Sequence, residues 1–92
     1  MTRRHETTVG GLIAGADPWD DPTEDGERDC FVWDDHCAHI CVRVFLRDKD
    51  ITVSGLSIKT EEGISPAAAL VLAKVLQEAA QLAQGLPLEG EG

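Results

Sequence analysis

Two periods of apolar spacing divide the chain. Between His36 and Leu46, the residues Ala38, Ile40, Val42, Val44 and Leu46 fall on every second position. That is the period of a strand with one covered face. Cys30-Phe31-Val32-Trp33 before it and Ile51-Thr52-Val53-Ser54 after it are β-prone as well. Asp34-Asp35 and Arg47-Asp48-Lys49-Asp50 are polar turn candidates between them. The pattern predicts a three-stranded antiparallel meander. A four-residue turn at 47–50 pairs Leu46 with Ile51 and Val44 with Val53, all on one face. A two-residue turn at 34–35 pairs Trp33 with His36 and Phe31 with the small Ala38, which turns both aromatics toward the core. A bulge at Gly55 would let residues 56–58 continue the third strand.

From Ser65 the period lengthens to that of a helix, predicted over 65–84. Ser65 is an N-cap candidate and Pro66 takes the first helical position, where its missing N–H costs nothing. Gly85 and then Pro87 mark the stop. Lys74, Gln77, Glu78, Gln81 and Gln84 make a narrow polar stripe, and Leu70 lies near it. Ala68, Val71, Leu72, Val75, Leu76, Ala79, Leu82 and Ala83 make a wide apolar arc. More than half of the circumference is apolar, against the roughly 100° that a surface helix needs. Three strands do not cover that arc. The expectation is a homodimer through the C-terminal helix, with Leu70, Val75, Leu76 and Leu82 at the contact.

The first 29 residues carry no sustained period. They hold eight acids (Glu6, Asp17, Asp20, Asp21, Glu24, Asp25, Glu27, Asp29) against Arg3, Arg4 and Arg28. Gly10-Gly11, Asp17-Pro18 and Asp21-Pro22 interrupt regular structure. Charge with little hydrophobicity predicts a mostly flexible acidic arm over 1–29. Val9, Leu12 and Ile13 leave room for a fourth strand. Trp19 either folds back onto the domain or, with Asp20 and Asp21, anchors a partner, since aromatic residues dominate binding hot spots. The expected organisation is the arm at 1–29, an α+β domain at 30–85 and a disordered tail at 86–92.

Composition narrows the functions. The chain has 92 residues and a formal net charge of −9. Such a balance disfavours direct nucleic-acid binding, which needs a basic surface, and docking on an anionic membrane. No apolar run approaches the roughly 20 residues that span a bilayer. Without a signal-peptide pattern at its start, the chain is expected in the cytoplasm. Three cysteines, an odd number, fit free thiols in a reducing compartment.

Cys30, Cys37, His39 and Cys41 are weak metal candidates. Their spacing lacks the C-x2-C pairing of zinc sites. On a regular strand Cys37 and Cys41 stand about 13 Å apart, too far to share one ion. The expected register does bring Cys30 across from His39. Asp35, Cys37 and His39 make a conceivable catalytic set, but a short hairpin offers no cleft. No enzyme activity and no cofactor are expected.

Residues 30–85 resemble small actinobacterial and actinobacteriophage proteins in which a β-meander precedes a Ser/Thr-Pro-capped, Ala/Leu-rich helix. Ile51-Thr52-Val53-Ser54-Gly55 and Ile64-Ser65-Pro66-Ala67-Ala68-Ala69-Leu70 carry the likeness. The resemblance implies no catalytic residue and points to a phage accessory or host-interaction protein. The leading expectation is therefore a non-enzymatic protein-interaction module with an unidentified protein partner. An acidic DNA-mimic regulator of a nucleic-acid-binding protein and a small Cys/His metal-binding domain are the alternatives.

Overall fold

A computed structural model describes residues 4–34, 39–55 and 64–88. The strands β1 (Arg4–Val9), β2 (Leu12–Ala16), β3 (Glu27–Asp34), β4 (His39–Phe45) and β5 (Asp50–Ser54) precede a single helix, α1 (Pro66–Ala83). The five strands form one antiparallel sheet in sequence order, and α1 packs across one of its faces. The α+β class agrees with the sequence pattern, and the strand count exceeds the three or four expected.

The two added strands correct the expected arm at 1–29. Gly10 (φ 62°) and Gly11 (φ 84°) both sit in the left-handed region. That is what a two-residue type I′ hairpin turn requires, so the glycines join β1 to β2 instead of breaking structure. Ala14 and Ala16 of β2 are fully buried in the core. Trp19 follows them inward and is 6% exposed. Its indole Nε1 donates to Glu78 Oε1 at 2.9 Å, and His5 Nε2 lies 2.8 Å from Glu78 Oε2. One carboxylate of α1 thus holds both β1 and the segment after β2.

The hairpin of β3 and β4 also departs from expectation. Phe31 pairs with Cys41 and Trp33 with His39, a shift of three positions from a 34–35 turn. An odd shift reverses which residues share a face. Cys30 and Val32 therefore join Ile40, Val42 and Val44 in the core, while Phe31 and Trp33 move to the other face. Asp34 explains the shift. It stays in the strand, buried, and its Oδ2 accepts from Ser65 Oγ at 3.0 Å. The second hairpin keeps its predicted faces, with Val44 opposite Ile51 and Val42 opposite Val53 around a turn at 46–49. Residues 56–58 lie outside the described residues.

The helix forms where its signals place it. Ser65 Oγ accepts from the Ala68 N–H at 3.1 Å, and Pro66 opens the first turn. At the far end Gly85 takes φ 82°, with Leu86 N–H donating to Gln81 O and Gly85 N–H to Leu82 O. These two bonds satisfy the last carbonyls. Leu88, in the expected tail, is buried against the core.

Small residues on both sides let helix and sheet approach closely. Ala67, Ala68, Val71, Val75 and Ala79 meet Ala14, Ala16, Val32, Val42 and Val44 in one cluster, with Trp19 its largest member. Trp19→Ala is expected to lower unfolding free energy by about 3–5 kcal/mol through the cavity it leaves. Glu78→Ala should cost less, about 1–3 kcal/mol, because a buried indole N–H loses its acceptor. Urea denaturation measures both, and a change below about 1 kcal/mol for Trp19→Ala would contradict this core.

Candidate functional site

The face of the sheet opposite α1 has no helix over it among the described residues. A diagonal apolar strip crosses it. Gly15 pairs with Trp33, and a Cβ added at Gly15 would stand 2.6 Å from Trp33 Cζ2. The indole therefore packs directly against the β2 backbone at Gly15, and glycine is the residue that permits it. Ile13, two positions before Gly15 on the same face, and Phe31, two before Trp33, are each 42% exposed. Half-buried Cys41, across from Phe31, continues the strip onto β4. Exposed apolar side chains grouped in this way mark contact surfaces more often than isolated ones do.

A charged fork bounds the strip. Arg43 donates from Nε to Asp29 Oδ1 at 2.7 Å and from Nη2 to Asp29 Oδ2 at 3.1 Å. Glu27 adds a third carboxylate oxygen at 3.9 Å. The hydrogen bond and charge of Asp29 raise the guanidinium pKa further, so Arg43 stays charged at every working pH. Bidentate pairing fixes the plane of the guanidinium beside the apolar strip.

The thiols occupy two environments. Cys30 points into the core and its Sγ donates to Asp17 O at 3.2 Å. Cys41 lies on the opposite face, so the sheet separates the two sulfurs and they do not share an ion. That corrects the metal grouping drawn from sequence, in which a different register put Cys30 across from His39. Cys37 and the side chain of His39 lie outside the described residues. Burial raises the Cys41 pKa above its ordinary value, and the Asp29 carboxylate raises it further. Both effects disfavour the thiolate, the form that attacks electrophiles or binds metals.

The partner residues expected from sequence separate into two groups. Trp19, Val75 and Leu82 are buried inside one chain and present nothing to a partner. Leu76 is half-buried against the same core. Five strands and Trp19 cover Ala68, Val71, Val75, Ala79, Leu82 and Ala83 of the apolar arc within one chain, and Leu72 is half-buried. Leu70 is 54% exposed and Asp20 and Asp21 are exposed. Leu70 overlooks a groove of about 360 Å³ between β1 and α1, which His5, Thr7 and Lys74 also line. Asp20 and Asp21 belong to a loop that Leu46 and Arg47 tie to the β4–β5 turn, through Leu46 N–H to Gly26 O and Arg47 Nη2 to Glu24 O, both 2.8 Å. Exposed Asp20, Asp21, Glu24, Asp25, Asp48 and Asp50 therefore gather at one end of the sheet.

No protein-family model, curated protein or solved structure matches this chain. Among the described residues, no helix is long and apolar enough to cross a membrane.

The thiol environments are testable with an aromatic disulfide reagent in a Cys37→Ser background. Cys41 should react more slowly than a free cysteine at pH 7 and accelerate as pH rises. Asp29→Asn should speed the neutral reaction, since it removes a raising charge and leaves Arg43 to favour the thiolate. Cys30 should react only on unfolding. Rapid labelling of Cys41 at neutral pH would contradict the assigned environment.

Proposed function

We propose that this chain is a non-enzymatic protein-binding module whose contact surface is the apolar strip on the uncovered sheet face. The observation that carries the reading is the exposure of Ile13 and Phe31 beside a tryptophan packed against Gly15. Pinned aromatic groups lose little entropy on binding, which suits a contact centre. The acidic end formed by the loop after β2 and the β4–β5 turn supplies long-range attraction for a partner with a basic rim. The charge fork of Asp29 and Arg43 gives that partner a fixed polar landmark at the strip's margin. Among the described residues the thiols weigh against catalysis, since Cys30 is enclosed and burial with the Asp29 charge favours the protonated form of Cys41. The likeness to small phage and actinobacterial proteins makes a host protein the natural partner class.

Deleting residues 1–29 does not test this reading, because it removes two of the five strands. Point substitutions on the open face do. Ile13→Glu with Phe31→Glu should leave the circular-dichroism spectrum unchanged and remove the proteins that the wild type retains specifically from a bacterial lysate. Thr52→Glu, farther along the same face, should retain them. An identical set of bound proteins with all three chains would end the proposal. Concentration-dependent sedimentation that Phe31→Glu abolishes would identify the partner as a second copy.

A further inference from the structure

The outer edge of β1 and the groove beside it form a second surface. β1 is the first strand of the sheet and, among the described residues, pairs with β2 alone. Its register with β2 runs Val9 to Leu12, Thr8 to Ile13 and Thr7 to Ala14. In a hairpin closed by a two-residue turn, the closing pair exchanges both backbone bonds and the next pair exchanges none. The N–H and C=O of Thr8 therefore point away from β2, toward the open edge. The pairing irregularity between Arg4 and Thr7, where His5 takes φ 58°, confines the regular edge to residues 7–9.

A groove of about 360 Å³ runs alongside that edge, between β1 and α1. Its helix wall presents Leu70, Val71, Ala73 and Lys74, and its strand wall His5, Glu6 and Thr7. Leu70 is 54% exposed, the highest value among the large apolar side chains of the described residues. Lys74 is the one basic residue of α1, and it forms no ion pair with another described residue. An exposed leucine and an ammonium without an ion pair among the described residues thus face a cavity that reaches Thr7, next to the outward-pointing backbone of Thr8.

We propose that β1 accepts an extended segment of another protein as a sixth strand, with an apolar side chain of that segment in the groove and an acidic side chain two residues away on Lys74. The backbone of Thr8 supplies main-chain pairing, and the groove reads alternate side chains, the division of labour seen in strand addition generally. A spacing of two follows from the strand period, which returns every second side chain to the same face. A carboxylate is the complement at the helix wall, where Lys74 forms no ion pair with a described residue, whereas Glu6 on the strand wall repels an acid placed nearer β1. The site extends the protein-binding reading but lies on the opposite side of the sheet from Phe31, so each surface fails separately.

The test is selection from a displayed library of random blocked heptapeptides against the folded wild-type chain. Enrichment of sequences with a large apolar residue two positions from Asp or Glu is expected. A selected peptide should shift the amide resonances of Thr8, Leu70 and Lys74. Leu70→Glu should weaken it roughly tenfold or more, Lys74→Glu should favour peptides with a base in place of the acid, and Phe31→Glu should change nothing. All three positions are exposed or on the outer face, and an unchanged circular-dichroism spectrum confirms that each variant folds. Failure to enrich any such pattern, or affinity that survives Leu70→Glu, would overturn the proposal. So would a self-associated wild type that Leu70→Glu renders monomeric, because a second copy would then fill the groove. Loss of peptide binding with Phe31→Glu alone would place the peptide on the open face and overturn it as well.

Discussion

Glu78 holds together parts of the chain that lie far apart in sequence. Its two carboxylate oxygens meet the Trp19 indole N–H and the His5 imidazole, so the middle of α1 is bound to β1 and to the segment leaving β2. A charged acceptor in a partly dry setting makes stronger hydrogen bonds than a neutral one. Such a bond also selects geometry, because a buried N–H without an acceptor is costly. Removing the contact would leave the alanine-lined side of the helix facing the N-terminal hairpin with no large side chain between them. Trp19 fills that space, and Glu78 fixes the direction in which it does so.

The location of the free surfaces follows. With two N-terminal strands and Trp19 in place, the apolar arc of α1 is covered within one chain. The large apolar side chains left exposed are Ile13 and Phe31 on the opposite sheet face, Leu70 beside β1, Val53 on β5 and Leu86 after α1, among the described residues. The core is built largely from alanine and valine around Trp19, while Phe31 and Trp33 sit on the outer face. The exposed acids of the loop after β2 and of the β4–β5 turn collect at one end of the sheet, while Glu6 and Lys74 face each other across the groove beside β1.

Local chemistry was legible where it decided the outcome. Ser65, Pro66 and Gly85 act within their own turns, and the helix begins and ends on them. The alternation of Ile40, Val42 and Val44 gave the covered face of β4 directly. The β3–β4 hairpin departs from its expected register because Asp34 resembles a turn residue, and its half-buried partner Ser65 lies 31 positions away. The N-terminal hairpin was missed although its signal is short-range: Gly10-Gly11 between Thr-Val and Leu-Ile is turn chemistry between β-prone pairs. The acidic composition of residues 1–29 outweighed it, and most of those acids belong to the loop after β2. Reading the helix arc as too wide for its own sheet followed from that omission, as did the choice of Val75 and Leu82 as contacts. Leu70 alone among the helix residues chosen as contacts stands well exposed.

Amide hydrogen exchange by NMR addresses the central point, that the N-terminal third is structural. Ala14 and Ala16 should be protected to a degree comparable with Val42 and Val44, as members of one cooperative sheet. Exchange at Ala14 and Ala16 as fast as in an unstructured peptide, with Val42 and Val44 still protected, would restore the flexible arm and contradict a five-stranded sheet.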